Sequence, residues 1–185
     1  IKCCVSSIPR GIAMIPQFAN GKIDQAPAFL FYQPGVYKTV LDNVEKTPVE
    51  FITVTDFPQD GNLSITVNPS TSTKFKVMFR KPYWAEGFTI AVNNKIQPSS
   101  SDLVAIERTW KKGDKVEVRF IIPVKVLDGN ISYPEQIALQ RGPQVLVFDQ
   151  KLNKADAKDV VLNDGAIHLE KAPGGVLPAT WAGTQ

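Results

Sequence analysis

The sequence predicts an all-β fold: an antiparallel two-sheet β-sandwich of jelly-roll type, preceded by a short N-terminal helix. Three segments carry this prediction, because apolar and polar residues alternate in each of them, as in a strand with one face in a core and the other in water. The apolar positions are Phe75, Val77 and Phe79; Phe88, Ile90 and Val92; and Val116, Val118 and Phe120. The three segments lie within about fifty residues and turn residues separate them, which indicates antiparallel β architecture.

The N-terminal segment has the pattern of a helix. Residues 6–9, Ser-Ser-Ile-Pro, are typical of a helix start, with a hydroxyl cap followed by a proline in the first turn, where its missing N–H does no harm. Pro16 limits the length of this helix. Four apolar residues share one face at helical spacing: Ile8, Ile12, Ile15 and Phe18. Because the rest of the chain predicts strands, we expect this face to have no partner within the chain.

From Ala28 onward the period changes to that of strands. Further strands are predicted at 28–32, 36–41, 49–55, 63–67, 136–140 and 145–148. These segments are rich in aromatic and β-branched residues, and Gly, Pro, Asn and Asp separate them. Strands at this spacing, with almost no helical periodicity, favour a sandwich or jelly roll.

The C-terminal part, from about residue 151, is looser. Residues 151–158 are polar and predict a surface loop. Two short apolar segments, 160–162 and 166–169, flank Asn163-Asp164-Gly165, a sequence typical of a hairpin turn. His168, the single histidine, lies in this predicted hairpin with no cysteine near it, so a surface or edge-strand position is favoured over a metal or catalytic role.

Length and composition exclude several classes of protein. The 185 residues suffice for one well-buried core. The net charge is only +3 and the basic residues alternate along strands, so no nucleic-acid partner is expected. No apolar run approaches the roughly 20 residues that span a bilayer, so no membrane insertion is expected. The chain begins at Ile1, which suggests processing or excision from a longer chain.

Aromatic residues near the predicted strand ends have two possible roles. Trp84 and Trp110 have the size to close the open ends of a two-sheet core, with each indole N–H reaching a loop carbonyl. Together with Tyr83 they are also candidates for stacking on sugar rings. Core packing is the favoured interpretation.

Acidic residues offer no clear catalytic pair. Glycoside hydrolysis uses two carboxyl groups about 5 to 10 Å apart. The candidates are Glu86, Glu107, Asp114 and Glu117, and nothing in the sequence places any two at that distance. Glu117 alternates outward and Asp114 lies in a turn, so solvated charges are the favoured interpretation.

Cys3 and Cys4 are adjacent and cannot join distant segments, so the chain is not a disulfide scaffold. A vicinal thiol pair can present two thiolates to one Zn²⁺, at about 2.3 Å, and a thiolate beside a metal or a helix N-terminus is a nucleophile at neutral pH. Two small buried thiols are an equally open interpretation. The sequence does not determine the cellular compartment of the protein, and a periplasmic or extracellular location is favoured over the cytoplasm.

Five motifs taken together point to a known family. They are Cys3-Cys4-Val5-Ser6-Ser7-Ile8-Pro9-Arg10-Gly11, Phe31-Tyr32, Arg80-Lys81-Pro82-Tyr83-Trp84-Ala85, Arg108-Thr109-Trp110-Lys111-Lys112-Gly113-Asp114 and Gln140-Arg141-Gly142-Pro143. In this order they resemble the C-terminal half of the β-L-arabinofuranosidases of glycoside hydrolase family 127 and their relatives. The resemblance covers most of residues 1–150, and the order and spacing of the motifs make it specific.

The resemblance implies a larger enzyme, in which a helical (α/α)6 barrel precedes β-sandwich domains and the substrates are arabinofuranosides. In such enzymes a glutamate and three cysteines hold a zinc, and the first cysteine of the vicinal pair attacks the anomeric carbon. Carried onto this sequence, Cys3 would be nucleophile and zinc ligand, and Cys4 a zinc ligand. The other ligands and the carboxylic proton donor lie upstream in the family and are absent here.

The resemblance therefore implies a division of the chain. Residues 1–20 would be the end of an upstream helical catalytic domain, and residues 21–185 an accessory C-terminal β-sandwich region that is inert by itself. Its partners would be the helical barrel of the parent protein and, through the parent, arabinose-containing or other plant glycans. Zinc is expected in the intact parent and no cofactor in this chain alone.

Two alternatives remain open at this stage. A free-standing carbohydrate-binding module would need exposed aromatic residues on one sheet face, whereas most aromatics here take inward or strand-end positions. A purely structural sandwich would need neither the cysteine pair nor the motif order. A detached portion of a glycosidase is the favoured interpretation, and an uncovered apolar face over residues 8–18 is the feature that distinguishes it.

Overall fold

The computed structural model describes residues 3–154, 156, 159, 168–171 and 181–184. Strands dominate and the prediction of an all-β fold with one short N-terminal helix is confirmed. The chain divides into two compact units, Ile1–Ile121 and Ile122–Gln185. The sequence placed the start of the looser part at about residue 151, whereas the second unit begins at Ile122. No helix in the described part is long and apolar enough to cross a membrane.

The N-terminal helix, α1, spans Cys3–Met14 and a 3₁₀ helix, Ile15–Phe18, follows it. The predicted start at residues 6–9 is wrong, because α1 already begins at Cys3 and Pro9 lies inside it. Pro9 has no N–H to donate, so the helix lacks one of its hydrogen bonds at this position.

Ten strands build the first unit. They are β1 Asn20–Ile23, β2 Ala26–Phe29, β3 Gly35–Val40, β4 Pro48–Thr55, β5 Asn62–Pro69, β6 Thr73–Arg80, β7 Glu86–Val92, β8 Lys95–Gln97, β9 Leu103–Trp110 and β10 Asp114–Ile121. A four-stranded sheet has the order β1-β2-β6-β9, and a six-stranded sheet has the order β3-β4-β5-β10-β7-β8. The predicted two-sheet sandwich is present in this unit.

One strand pair departs from the antiparallel arrangement. β2 runs parallel to β6, with Ala28 opposite Met78 and Phe29 opposite Phe79, while the other strand pairs in the described part of the chain are antiparallel. The alternation of apolar and polar residues is the same in both arrangements, so the sequence pattern does not reveal strand direction.

The core of the sandwich consists of the inward residues of both sheets. The residues predicted to lie inside are all buried: Phe75, Val77, Phe79, Ile90, Val92, Val116 and Val118. Phe29 joins the two sheets, since its ring stacks on Phe79 of its own sheet at 5.3 Å and meets Phe51 of the other sheet edge-on at 5.4 Å. Such aromatic pairs add to the stabilisation from apolar burial.

The two tryptophans differ in burial. Trp110 is the last residue of β9 and is fully buried, and its indole N–H donates to the carbonyl of Phe75 at 3.0 Å. The sequence predicted an acceptor in a loop, whereas the carbonyl of Phe75 belongs to strand β6. Trp84 is half-buried, stacked on Phe57 and edge-on to Phe120. The core interpretation is therefore confirmed for Trp110 and holds in part for Trp84.

Gly61 occupies a position that only glycine fits. It is buried beside β10, and the N–H of Phe120 donates to its carbonyl at 3.1 Å. A Cβ atom at this position would collide with the backbone carbonyl of Phe120. Because that carbonyl belongs to a core strand, it cannot move aside without disturbing the sheet.

The second unit contains short strands and one helical turn. Its elements are β11 Val124–Asp128, β12 Ile137–Arg141, β13 Gln144–Leu146, α2 Gln150–Asn153, β14 His168–Lys171 and β15 Trp181–Thr184. β11, β12 and β13 form an antiparallel sheet, and β14 pairs with β15. The predicted loop at 151–158 begins instead with α2, and the predicted turn at 163–165 lies outside the described residues.

Candidate functional site

Cys3 and Cys4 lie in the first turn of α1. Their side chains lie outside the described part of the structure. The first N–H groups of a helix have no partner within the helix and favour negative charge, so this backbone position suits a thiolate. The roles of Cys3 as nucleophile and of both residues as zinc ligands stay predictions.

A zinc site requires more ligands than this pair offers. Structural and catalytic zinc ions take four ligands in a tetrahedral arrangement. Among the described residues, no group of three or more His, Cys, Asp and Glu side chains could hold a metal ion. Cys3 and Cys4 would supply two of the four ligands of such a site.

The face of α1 that the sequence predicted to lack a partner is exposed. It consists of Ile8 and Ile12 of α1 together with Ile15 and Phe18 of the 3₁₀ helix, hereafter the α1 apolar face, and these side chains are between 55% and 61% exposed. Phe31 is also exposed, and its backbone N–H donates to the carbonyl of Ala19 at 3.1 Å, just after the 3₁₀ helix. The Arg80 guanidinium lies 5.5 Å from the centre of the exposed Phe31 ring. An apolar surface of this kind marks an interaction site more often than ordinary protein surface.

Asp114 has a structural role in the described residues. Its carboxylate accepts hydrogen bonds from the Asn93 side-chain amide at 2.8 Å and from the Lys111 N–H at 2.9 Å, and the Arg108 guanidinium lies 3.8 Å away. Burial opposes ionisation, but these hydrogen bonds and the neighbouring charges of Arg108 and Lys111 outweigh it and lower the pKa of Asp114. Asp114 thus fastens the turn before β10 to the turn after β7.

The other candidate carboxylates, those of Glu86, Glu107 and Glu117, do not form a pair. Glu107 faces outward from the four-stranded sheet, where it pairs with Lys74 at 3.5 Å. Glu117 belongs to the six-stranded sheet, opposite Ser64 and Ala91. Glu86 lies in that sheet too, opposite Ile121, which is four residues after Glu117 along β10, and hence about 13 Å from Glu117 along the strands. The structure therefore leaves these carboxylates as separate surface charges.

The remaining candidates also stay apart. Tyr83 is 83% exposed, but Trp84 beside it turns toward Phe57 and Trp110 is buried, so the three do not form a common platform for a sugar ring. The backbone of His168 lies in β14 opposite Thr184, and its side chain lies outside the described residues.

One concave surface was not predicted from the sequence. A groove of about 310 Å³ lies on the outward face of the six-stranded sheet, hereafter the outer groove. Its polar lining consists of Thr55, Asp56, Asp60, Asn62, Ser64, Glu117 and Arg119. The alternation along β10 indicates that Glu117 and Arg119 face outward, but it does not reveal that β5 is the neighbouring strand.

Comparisons with known proteins agree with the fold. Residues 32–122 match the family model described as β-L-arabinofuranosidase, GH127 middle domain. The crystal structure of a GH127 β-L-arabinofuranosidase from Geobacillus stearothermophilus T6 is similar at 24% sequence identity, with a TM-score of 0.78 over 93% of this chain and 28% of that chain. No curated protein matched the chain.

Two further solved structures are similar. One is described as a glycoside hydrolase, with 26% identity and a TM-score of 0.66 over 77% of this chain and 24% of that chain. The other is described as a GH127 β-arabinofuranosidase, with 23% identity and a TM-score of 0.65 over 77% of this chain and 25% of that chain. The present chain thus spans about a quarter of the length of these proteins.

Proposed function

We propose that this chain is a portion of a glycoside hydrolase family 127-like protein and forms the accessory β-sandwich region of a glycosidase that hydrolyses β-L-arabinofuranosides. The match of residues 32–122 to the family model carries the proposal. The substrates of the intact protein would be arabinose-containing or other plant glycans.

The α1 apolar face supports a role within a larger protein. Each large apolar side chain that leaves water contributes about 1.5–3 kcal/mol, so four such side chains on one helix face favour a covering partner. In the proposal that partner is a helical barrel preceding this chain in the intact protein, and residues 1–20 are the end of that barrel.

Cys3 and Cys4 are the residues through which the chain would contribute to the reaction. Zinc bound in the intact protein would hold both thiols as thiolates at neutral pH. Cys3 would attack the anomeric carbon while the glycosidic C–O bond breaks, and the leaving oxygen would take its proton from a carboxylic acid. The Asp114 carboxylate accepts hydrogen bonds from Asn93 and Lys111, and Glu107 pairs with Lys74, so neither suits the proton donor. The chain by itself is therefore proposed to be inert.

The proposal is tested in the longer protein that contains this chain, with a chromogenic β-L-arabinofuranoside as substrate. Cys3→Ser should reduce turnover at least about a thousandfold, because removing a nucleophile removes the covalent pathway. Ser6→Ala, in the same helix, is the matched control and should leave turnover within about threefold. Zinc content measured by atomic absorption should fall in Cys4→Ser.

Two results would contradict the proposal in different ways. If Cys3→Ser turned over substrate as fast as the unaltered protein, Cys3 would not be the nucleophile. If the unaltered longer protein hydrolysed no arabinofuranoside at all, the assignment of this activity would be wrong.

A further inference from the structure

The outer groove has no role in the proposed function, and its composition suits a specific ligand. We propose that it binds a neutral oligosaccharide segment of the glycan substrate and so holds the substrate on the protein away from the reacting bond. This inference rests on the proposed function for the class of glycan. The groove itself lies entirely within the first unit, over β4, β5 and β10.

Strand register places the polar groups of the outer groove in a compact array. Glu117 lies opposite Ser64 and Arg119 lies opposite Asn62. Directly opposed residues share a face at about 5 Å, and residues two apart along a strand share it at about 6.6 Å. The four side chains therefore form the corners of a small rectangle, comparable in size with one sugar ring.

Glu117 and Arg119 have hydrogen-bonding capacity that the protein does not use. In the described part of the chain, neither side chain makes an ion pair or a hydrogen bond. Glu117 is half-buried and Arg119 is exposed, so a ligand can reach both side chains. A carboxylate accepts two hydrogen bonds and a guanidinium donates up to five, so together they match the mixed donors and acceptors of adjacent sugar hydroxyls.

The remainder of the outer groove favours a neutral sugar over other ligands. Val54 borders it and is 67% exposed, which offers an apolar contact for the C–H face of a sugar. Three carboxylates, those of Asp56, Asp60 and Glu117, face a single guanidinium, so a glycan containing uronic acids would be repelled. The described residues include no group of three acidic side chains placed to hold a metal ion, so the carboxylates do not form a cation site. A cationic peptide is the main competing ligand.

Binding can be measured on the chain of 185 residues by ¹H–¹⁵N NMR titration. The probes are linear arabinotriose and arabinopentaose, with trigalacturonic acid and pentalysine as competitors of opposite charge. We expect saturable shifts of amide signals in β5 and β10 with the arabino-oligosaccharides. Glu117→Gln and Arg119→Ala should each weaken binding about tenfold or more, since a hydrogen bond to a charged group is lost. Lys76→Ala, an exposed charge on the other sheet, is the matched control and should bind like the unaltered chain.

The spectra of the variants also report whether each one folds, so a loss of binding cannot be confused with unfolding. Shifts by pentalysine in place of arabinotriose would assign the groove to a cationic partner and overturn the inference. Full affinity in Arg119→Ala would overturn it as well. If no arabino-oligosaccharide binds while the longer protein still hydrolyses an arabinofuranoside, the inference fails and the proposed function stands.

Discussion

Replacing Trp110 by alanine is expected to destabilise the first unit by about 4 kcal/mol. The indole is fully buried and donates a hydrogen bond to the carbonyl of Phe75. A tryptophan buries about 150–250 Å² and truncation of a buried tryptophan to alanine costs about 3–5 kcal/mol. Losing the hydrogen bond adds about 1 kcal/mol and leaves a buried carbonyl without that partner. Trp110→Phe, which keeps much of the packing, should cost about 1–2 kcal/mol.

Urea unfolding followed by far-UV circular dichroism measures these differences without depending on tryptophan fluorescence. The alanine variant should also melt roughly 15 °C lower than the unaltered chain. Tyr83→Ala, at an exposed aromatic position, is the control and should stay within about 0.5 kcal/mol. Because Trp84 is only half-buried, Trp84→Ala should fall between the two. If Trp110→Ala cost no more than Tyr83→Ala, the assignment of Trp110 to the core would be refuted.

Three further perturbations test other parts of the account. Gly61→Ala should destabilise the chain by about 1–3 kcal/mol in urea unfolding, because the added methyl group would collide with a backbone carbonyl of β10. Gly21→Ala should be nearly neutral, because a methyl group there has no neighbouring atom within 4 Å. Equal destabilisation by the two substitutions would contradict this. Asp114→Asn should lower stability at pH 7 and should cost progressively less as the pH falls below about 3.9, the pKa of an unfolded aspartate. A carboxyl with a lowered pKa stabilises the fold above its unfolded pKa and loses that contribution as the pH falls through its folded pKa. A cost independent of pH would contradict this. Ile12→Asp should leave the melting temperature of this chain unchanged but lower the melting temperature of the longer protein. The exposed control Ile96→Asp should lower neither melting temperature. If Ile12→Asp had no effect in the longer protein, the α1 apolar face would not be covered there.

Much of the sandwich was predictable because its strands have one buried and one exposed face. Alternation identified β6, β7 and β10 and their inward residues correctly. The same rule missed β9, because its third inward position is Arg108 and not an apolar residue. The Arg108 guanidinium lies 5.3 Å from the centre of the Trp110 ring, a contact that the sequence pattern cannot show.

The sites were less predictable than the strands, for a physical reason. Motif order led to Cys3 and Cys4, since they are adjacent in the sequence. The outer groove depends on β5 lying beside β10, and the two strands are separated by β6, β7, β8 and β9 along the chain. A pairing between distant segments leaves no local pattern, so Asn62 and Arg119 became neighbours only in the folded structure.

The most direct test of the central claim compares the 185-residue chain with the longer protein that contains it, at equal concentration and with the same chromogenic β-L-arabinofuranoside. The account predicts turnover by the longer protein and none by the chain, because Cys3 and Cys4 would supply only two of the four zinc ligands and the family resemblance places the other ligands upstream of these residues. Turnover by the chain alone that disappears in Cys3→Ser would show that the site is complete within these residues. The interpretation of the chain as an accessory region would then be wrong.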